Sequence, residues 1–199
     1  IIFFDIVATL SRAGIIDKTN QATLEALADS DIKLVISTGR PKPILPPDIL
    51  ALLEADVLDS IICMNGQYSF DNSGRISHYP LTDQQTAKIV HLCQASNLIH
   101  KFDSATHISW SDENERLREF NARTPNSIVD PNYYQTNEVY QCSVFFNNQQ
   151  EKMQEVDFAK DGLKLVHWHN TGADILPIDA SKARGILDVC AYYGVDAQD

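Results

Sequence analysis

Along the first third of the chain, apolar residues come in short unbroken runs, and each run closes on a polar turn. Ile1-Ile2-Phe3-Phe4 precedes Asp5, Ile32 to Ser37 precedes Thr38-Gly39-Arg40-Pro41, and Ser60 to Met64 precedes Asn65-Gly66. Such runs predict strands buried on both faces of a parallel sheet. Between them the spacing turns helical. Asp17 to Asp29 carries Leu24, Leu27 and Ala28 on one face with Asp17 as a candidate cap, and a second helix is predicted over Ile44 to Asp56, its start blurred by Pro43, Pro46 and Pro47. Parallel strands joined by right-handed crossovers align their carboxyl ends, which is where ligands bind in open α/β sheets. Asp5, Thr38 and Asn65 are therefore expected to converge on one rim. Alone, Asp5 reads equally well as the cap of a turn.

The pattern changes after Gly66. Gln67 to Phe70 and Arg75 to Pro80 flank Asp71-Asn72-Ser73-Gly74 and predict a hairpin, because those turn residues tolerate positive φ. Helical and strand patterns then mix: Gln84 to Ser96 helical, Ile99 to Trp110 extended, Asp112 to Asn121 helical, Val139 to Phe146 extended, Gln149 to Lys160 helical, Leu163 to His169 extended. This order predicts an α+β insert. A short strand, Asp174 to Pro177, and a helix from Ser181 to Tyr193 follow. Lys182 falls in that helix's first turn, where the helix dipole opposes a cation unless an anion lies beyond it.

Composition narrows the classes. The chain has 199 residues, 44% of them hydrophobic and 22% charged, which suits a globular protein of one large or two small domains. A net charge of -11 disfavours sequence-independent binding to nucleic acid. With no long apolar run and no basic-then-apolar leader, no membrane partner is expected and a cytoplasmic location is. Cys63, Cys93, Cys142 and Cys190 stand singly in apolar contexts and read as reduced core residues. His167 and His169 would share a face of a regular strand, but with no third ligand nearby they read as surface residues of the sheet sooner than as a metal pair. The start at Ile1, inside a strand and without Met, suggests that a longer chain is only partly in view.

Four segments, taken in order, carry a resemblance. Asp5-Ile6-Val7-Ala8-Thr9, Ser37-Thr38-Gly39-Arg40-Pro41, Asn65-Gly66 and Ala180-Ser181-Lys182-Ala183-Arg184-Gly185 resemble the motifs of the haloacid dehalogenase superfamily of phosphatases. The likeness is greatest to its Cof-type branch, in which a sizeable α/β cap is inserted between the Asn-Gly strand and the lysine segment. The resemblance implies an α/β fold with a Rossmann-like parallel-sheet core over residues 1–82 and 173–199 and an α+β cap domain over 83–172. It implies Asp5 as the nucleophile that takes the phosphoryl group, Thr38 as the hydroxyl that binds that group and Lys182 as the cation that neutralises it. Gly39, Arg40 and Asn65 match positions on the substrate side. Mg2+ is implied as cofactor, held by Asp5 and the main-chain carbonyl of Val7, and a small phosphorylated metabolite such as a sugar phosphate is implied as partner. Oligomeric state is not legible.

Two departures shape the expectation. The family pattern places an Asp, the general acid/base, where this chain has Val7, and a Gly where it has Ala8. Valine cannot transfer a proton, so turnover is expected to fall by about 10²- to 10⁴-fold, the usual worth of such a group. The family's acidic fourth motif is expected after Tyr192-Tyr193-Gly194-Val195, and the sequence ends before it. The alternative is a non-catalytic phosphate-ligand binder or regulatory pseudoenzyme that keeps the anion site.

Overall fold

In the computed structural model the described residues are 1–7, 9–12, 15–113, 115–121, 126–146 and 155–197. They form two compact units, one of Ile1–Tyr79 with Ala180–Asp199 and the other of Pro80–Asp179.

The first unit begins with β1 (Ile2–Phe4), a two-stranded flap of β2 (Ser11–Arg12) and β3 (Ile15–Ile16), and α1 (Lys18–Ala28). Asp17 caps α1, its carboxylate accepting from the Thr19 amide at 2.8 Å. β4 (Leu34–Ser37), α2 (Pro47–Glu54), β5 (Ser60–Cys63), β6 (Tyr68–Asp71) and β7 (Gly74–His78) complete a sheet of order β1-β4-β5-β6-β7. β1, β4 and β5 run parallel, with Phe4 opposite Ile36 and Ser37 opposite Ile62, and β6 and β7 extend the sheet as the expected hairpin. β4 and β5 are buried throughout. β1 departs from expectation: it is an edge strand among the described residues and leaves Ile2 exposed, because an apolar run does not show whether a neighbour lies on one side or both. The second helix is also shorter than predicted. Lys42–Ile44 forms a 3-10 turn, and the helix starts where Pro47 can serve as its first residue.

The second unit opens with α3 (Asp83–Ala95), held by a capping box in which the Thr82 hydroxyl accepts from the Gln85 amide at 3.2 Å and the Gln85 side chain accepts from the Thr82 amide at 3.0 Å. Its further elements are β8 (Ile99–Asp103), β9 (Ile108–Trp110), α4 (Glu115–Asn121), β10 (Ser127–Val129), β11 (Gln141–Phe145), β12 (Leu163–His169) and β13 (Gly172–Pro177), in a sheet of order β10-β9-β8-β11-β13-β12. α3 packs on one face of this sheet, where Ile89 and Cys93 meet Phe102, Cys142, Val144 and Ile175.

Three expectations change here. Ile99 to Trp110 is two antiparallel strands, because the Ser104 hydroxyl accepts from the amides of Thr106 and His107 at 3.1 and 2.9 Å and turns the chain. The strand ending at Pro177, expected in the first unit, pairs with β11 and β12, so residues 173–179 belong to the second unit. Leu81 likewise bonds to the carbonyl of Val139 at 2.8 Å, which puts residues 80–82 there too. Of the predicted helix from Gln149 to Lys160, residues 149–154 lie outside the described residues, and Ala159–Asp161 is a 3-10 turn. The helix from Lys182 to Tyr193, α5, returns to the first unit, where Val189 joins Val35 and Ile62 in a buried cluster with Ile186 and Tyr193 packed against it.

On the other face of the second sheet, Lys101 donates to Asp103 at 2.6 Å, both buried, while Asp174 accepts from Ser143 at 2.8 Å and from the Trp168 indole at 3.1 Å. Burial pushes the Asp174 carboxyl above the usual carboxylate range and the charge of Asp103 adds to this, against Lys101 and the two hydrogen bonds, which pull it down. A raised native pKa favours the protonated form, so this group's contribution to stability is full below the unfolded value of about 3.9 and is lost as pH rises through the native one. Asp174→Asn keeps an acceptor oxygen and carries no charge at any pH. It is expected to be more stable than the parent at pH 7 in thermal unfolding, with the difference closing toward pH 4; a less stable variant at pH 7 would show that Lys101 and the two donors outweigh burial.

Candidate active site

Asp5 is the first residue past β1, Thr38 the first past β4, and Met64-Asn65-Gly66 follow β5, so the sheet register alone sets all three at one edge of the first unit. The loops after β4 and β5 are stitched together by their backbones. Thr38 N–H donates to Ile62 O at 2.9 Å, Asn65 N–H to Thr38 O at 3.2 Å and Met64 N–H to Arg40 O at 3.1 Å. Thr38 is buried, and its hydroxyl accepts from the Arg40 amide at 3.2 Å, leaving the hydroxyl proton for another acceptor. The Asn65 amide lies over Gly39, where a Cβ would stand 2.9 Å from Asn65 Oδ1. Glycine at 39 is what lets the two loops meet.

The turn after β5 is strained. Met64, Asn65 and Gly66 have φ of 50°, 56° and 86°, and a buried Met in the left-handed region costs on the order of 1–3 kcal/mol. The turn exists to let α5 approach. A Cβ on Gly66 would fall 2.0 Å from Ser181 O, and one on Gly185 would fall 2.5 Å from Ile62 Cγ2 and 3.0 Å from Gly66 Cα. Two residues without side chains thus press the first turn of the helix onto the turn after β5. Ser181 caps the helix, its hydroxyl accepting from the Arg184 amide at 3.1 Å, and Lys182 follows at once.

From there Lys182 Nζ donates to Asp5 Oδ2 at 2.7 Å, across 177 residues of sequence, while Asp5 Oδ1 accepts from the Ile6 amide at 2.7 Å. Both side chains remain over a third exposed, so the pair adds little to stability; what it fixes is position. The anion that a lysine at a helix start requires is Asp5. Val7, two residues beyond Asp5, is 58% exposed and presents only methyl groups.

The structure therefore joins Asp5 to Lys182, and Thr38, Gly39, Arg40 and Asn65 to one another, at the ends of adjacent parallel strands. The histidines do not join them. His167 and His169 are exposed on β12, a register shift between them interrupts the alternation that would have paired them, and no cluster of three metal-ligating side chains occurs among the described residues. The four cysteines are buried and free. Sequence reasoning missed the neighbours of Arg184, whose guanidinium bonds to Gln67 and lies 3.9 Å from the centre of the Tyr79 ring; no local motif links these positions.

The whole chain, residues 2–199, matches the family model for haloacid dehalogenase-like hydrolases. The chain belongs to that family. It falls in the Cof-type phosphatase branch that its motifs suggested. A Bacillus subtilis (strain 168) protein named "Putative phosphatase YkrA" is 24% identical over 100% of this chain and 76% of its own length. Among solved structures, the HAD subclass IIB sugar phosphatase BT4131 superposes with a TM-score of 0.80 at 23% identity, over 98% of this chain and 76% of that one. BT1666 from Bacteroides thetaiotaomicron superposes with a TM-score of 0.78 at 23% identity, over 98% and 72%. These likenesses carry the fold. No described helix of this haloacid dehalogenase-like chain is long and apolar enough to cross a membrane.

The approach of Gly185 to Gly66 gives a signed prediction. Gly→Ala inside a helix ordinarily stabilises by about 1 kcal/mol. Here the added methyl meets buried Ile62 and the backbone of Gly66, so Gly185→Ala is expected to destabilise by about 1–3 kcal/mol in urea unfolding. A gain in stability would show that α5 is not pressed against the turn.

Proposed function

We propose that this chain acts on small phosphomonoesters, with sugar phosphates the favoured class, through attack of Asp5 on phosphorus and an aspartyl-phosphate intermediate. The observation that carries the reading is the 2.7 Å contact between the Asp5 carboxylate and the Lys182 ammonium, at the strand ends that also present Thr38. Phosphoryl transfer is mostly positioning and charge stabilisation, and these groups supply both. An Asp5 oxygen bonds to phosphorus as the ester P–O bond breaks, Lys182 balances the charge of the phosphoryl oxygens, and Thr38 offers its hydroxyl proton to one of them. Arg40 and Asn65 flank the substrate side, with Gly39 leaving room between them. That BT4131 is a sugar phosphatase supports the substrate class.

Mg2+ suits the donors present. A carboxylate at Asp5 and the main-chain carbonyl of Val7 are hard oxygen ligands, and Mg2+ commonly takes one or two protein carboxylates and fills its remaining positions with water and phosphate. Bound there, it would neutralise phosphoryl oxygens. The leaving oxygen still needs a proton, and the later water needs a base; Val7 supplies neither. Binding in this reading is intact while turnover is slow, and the exposed methyl groups of Val7 favour a phosphate-ligand binder as the second reading.

With Mg2+ present, the chain is expected to hydrolyse a generic aryl phosphate near the background rate, and Val7→Asp to raise the rate by about 10²-fold or more. Robust hydrolysis by the parent would overturn the account of Val7. Inorganic phosphate should bind to the parent in calorimetry and lose most of its affinity on Lys182→Ala. No saturable binding to the parent would remove both readings.

A further inference from the structure

Lys182 can stand 2.7 Å from Asp5 only if the first turn of α5 is held there, against both the helix dipole and the tendency of helix ends to fray. Seating on Gly66 fixes the distance of the helix from the turn after β5, and Val189, packed with Val35 and Ile62, turns its apolar face to the sheet further along. A second set of contacts holds the first turns, where Lys182 stands. Arg184 donates to the side-chain oxygen of Gln67 and lays its guanidinium over the Tyr79 ring at 3.9 Å. Four residues on, Asp188 accepts from the Tyr79 hydroxyl at 3.0 and 3.1 Å. Gln67, fully buried, is bound to Tyr79 in both directions: its side-chain amide donates to Tyr79 O at 2.8 Å, and the Tyr79 N–H donates to Gln67 O at 2.8 Å.

Helical periodicity separates these contacts from the site. At about 100° per residue, Arg184 and Asp188 project within about 40° of each other and on the side of the helix away from Lys182. Neither needs to reach what Lys182 reaches. They grip the helix from behind, with Gly185 between the two sides. The grip also takes in one end of the interruption in this unit, since Tyr79 is its last residue before the chain leaves.

We infer that Arg184, acting through Gln67 and Tyr79, is a positioning residue that sets where the Lys182 ammonium stands against Asp5 and thereby sets the affinity for a phosphoryl group it does not touch. The link to phosphate rests on the function proposed above; the link to Lys182 does not. Displacement by about 1 Å of a group that orients a substrate can cost on the order of 10²-fold, so a clamp two residues away has leverage.

The test reads Lys182 directly. In protein labelled with 15N-lysine, the side-chain ammonium signal of Lys182 is identified by its loss in Lys182→Ala. Arg184→Met keeps the length and apolar stem of the side chain and removes its donors. It is expected to move that signal toward the position of free lysine and to weaken inorganic phosphate binding by about tenfold or more. Arg184→Lys, which restores a cation over Tyr79 and a donor to Gln67, is expected to recover most of both. Should Arg184→Met fail to fold, Tyr79→Phe keeps the ring and cuts the bond to Asp188, and is expected to move both readouts the same way by a smaller amount. An unmoved Lys182 signal in a folded variant overturns the inference. A signal that moves in a protein that binds no phosphate upholds the positioning role and overturns the functional reading alone.

Discussion

The site depends on a place where two backbones come closer than any side chain allows. Gly66 and Gly185 let the first turn of α5 lie directly on the turn after β5, and a methyl group on either would collide with main chain or with buried Ile62. This contact sets the place of Lys182 at the rim. It puts the helix start beside the ends of the parallel strands, and so carries Lys182 to Asp5. It also accounts for the left-handed conformations of Met64 and Asn65, which the chain needs in order to present Gly66 to the helix.

Charge placement follows from that seating. A lysine in the first turn of a helix is locally unfavourable, and a half-exposed ion pair is weak recompense in stability. In the proposed reading the cation and the carboxylate are held close together for a phosphoryl group, whose charge Lys182 would balance and whose phosphorus Asp5 would attack. Thr38 contributes in a different way. Its hydroxyl is tied at the acceptor side by Arg40 N–H and its carbonyl by Asn65 N–H, so the loop that carries it is fixed before any ligand arrives. Preorganised donors need no rearrangement at the moment of reaction.

How much of this was legible in the sequence divides along a physical line. Local signals read well: Asp17 as a cap, the turns after three apolar runs, the hairpin at Asp71 to Gly74, and the oddity of Lys182 at a helix start are all decided within a few residues of chain. Pairing between distant segments was not legible. The strand that ends at Pro177 could have joined either sheet, and only the register with Ser143 and Leu165 assigns it. The clamp on α5 is nonlocal in the same sense, since Gln67 and Arg184 lie 117 residues apart and neither belongs to a motif that names the other. Glycine was the partial exception. Gly66 and Gly185 stood out within recognisable segments, yet their mutual contact needed the fold.

In the proposed reading, Val7 marks what such a site can keep when one side chain changes. Anion binding draws on fixed charges and hydrogen-bond donors, and Asp5, Thr38 and Lys182 obtain their places from sheet register, loop stitching and the seating of α5, none of which involves the side chain at position 7. Proton transfer draws on one ionisable group at one spot, and no amount of framework substitutes for it. The framework is the larger structural investment, spread over three strands, two loops and a helix, whereas the proton carrier is a single exposed position beside the nucleophile. In the proposed reading, binding and turnover are therefore separable properties of this rim: the first is written into the fold, and the second into residue 7.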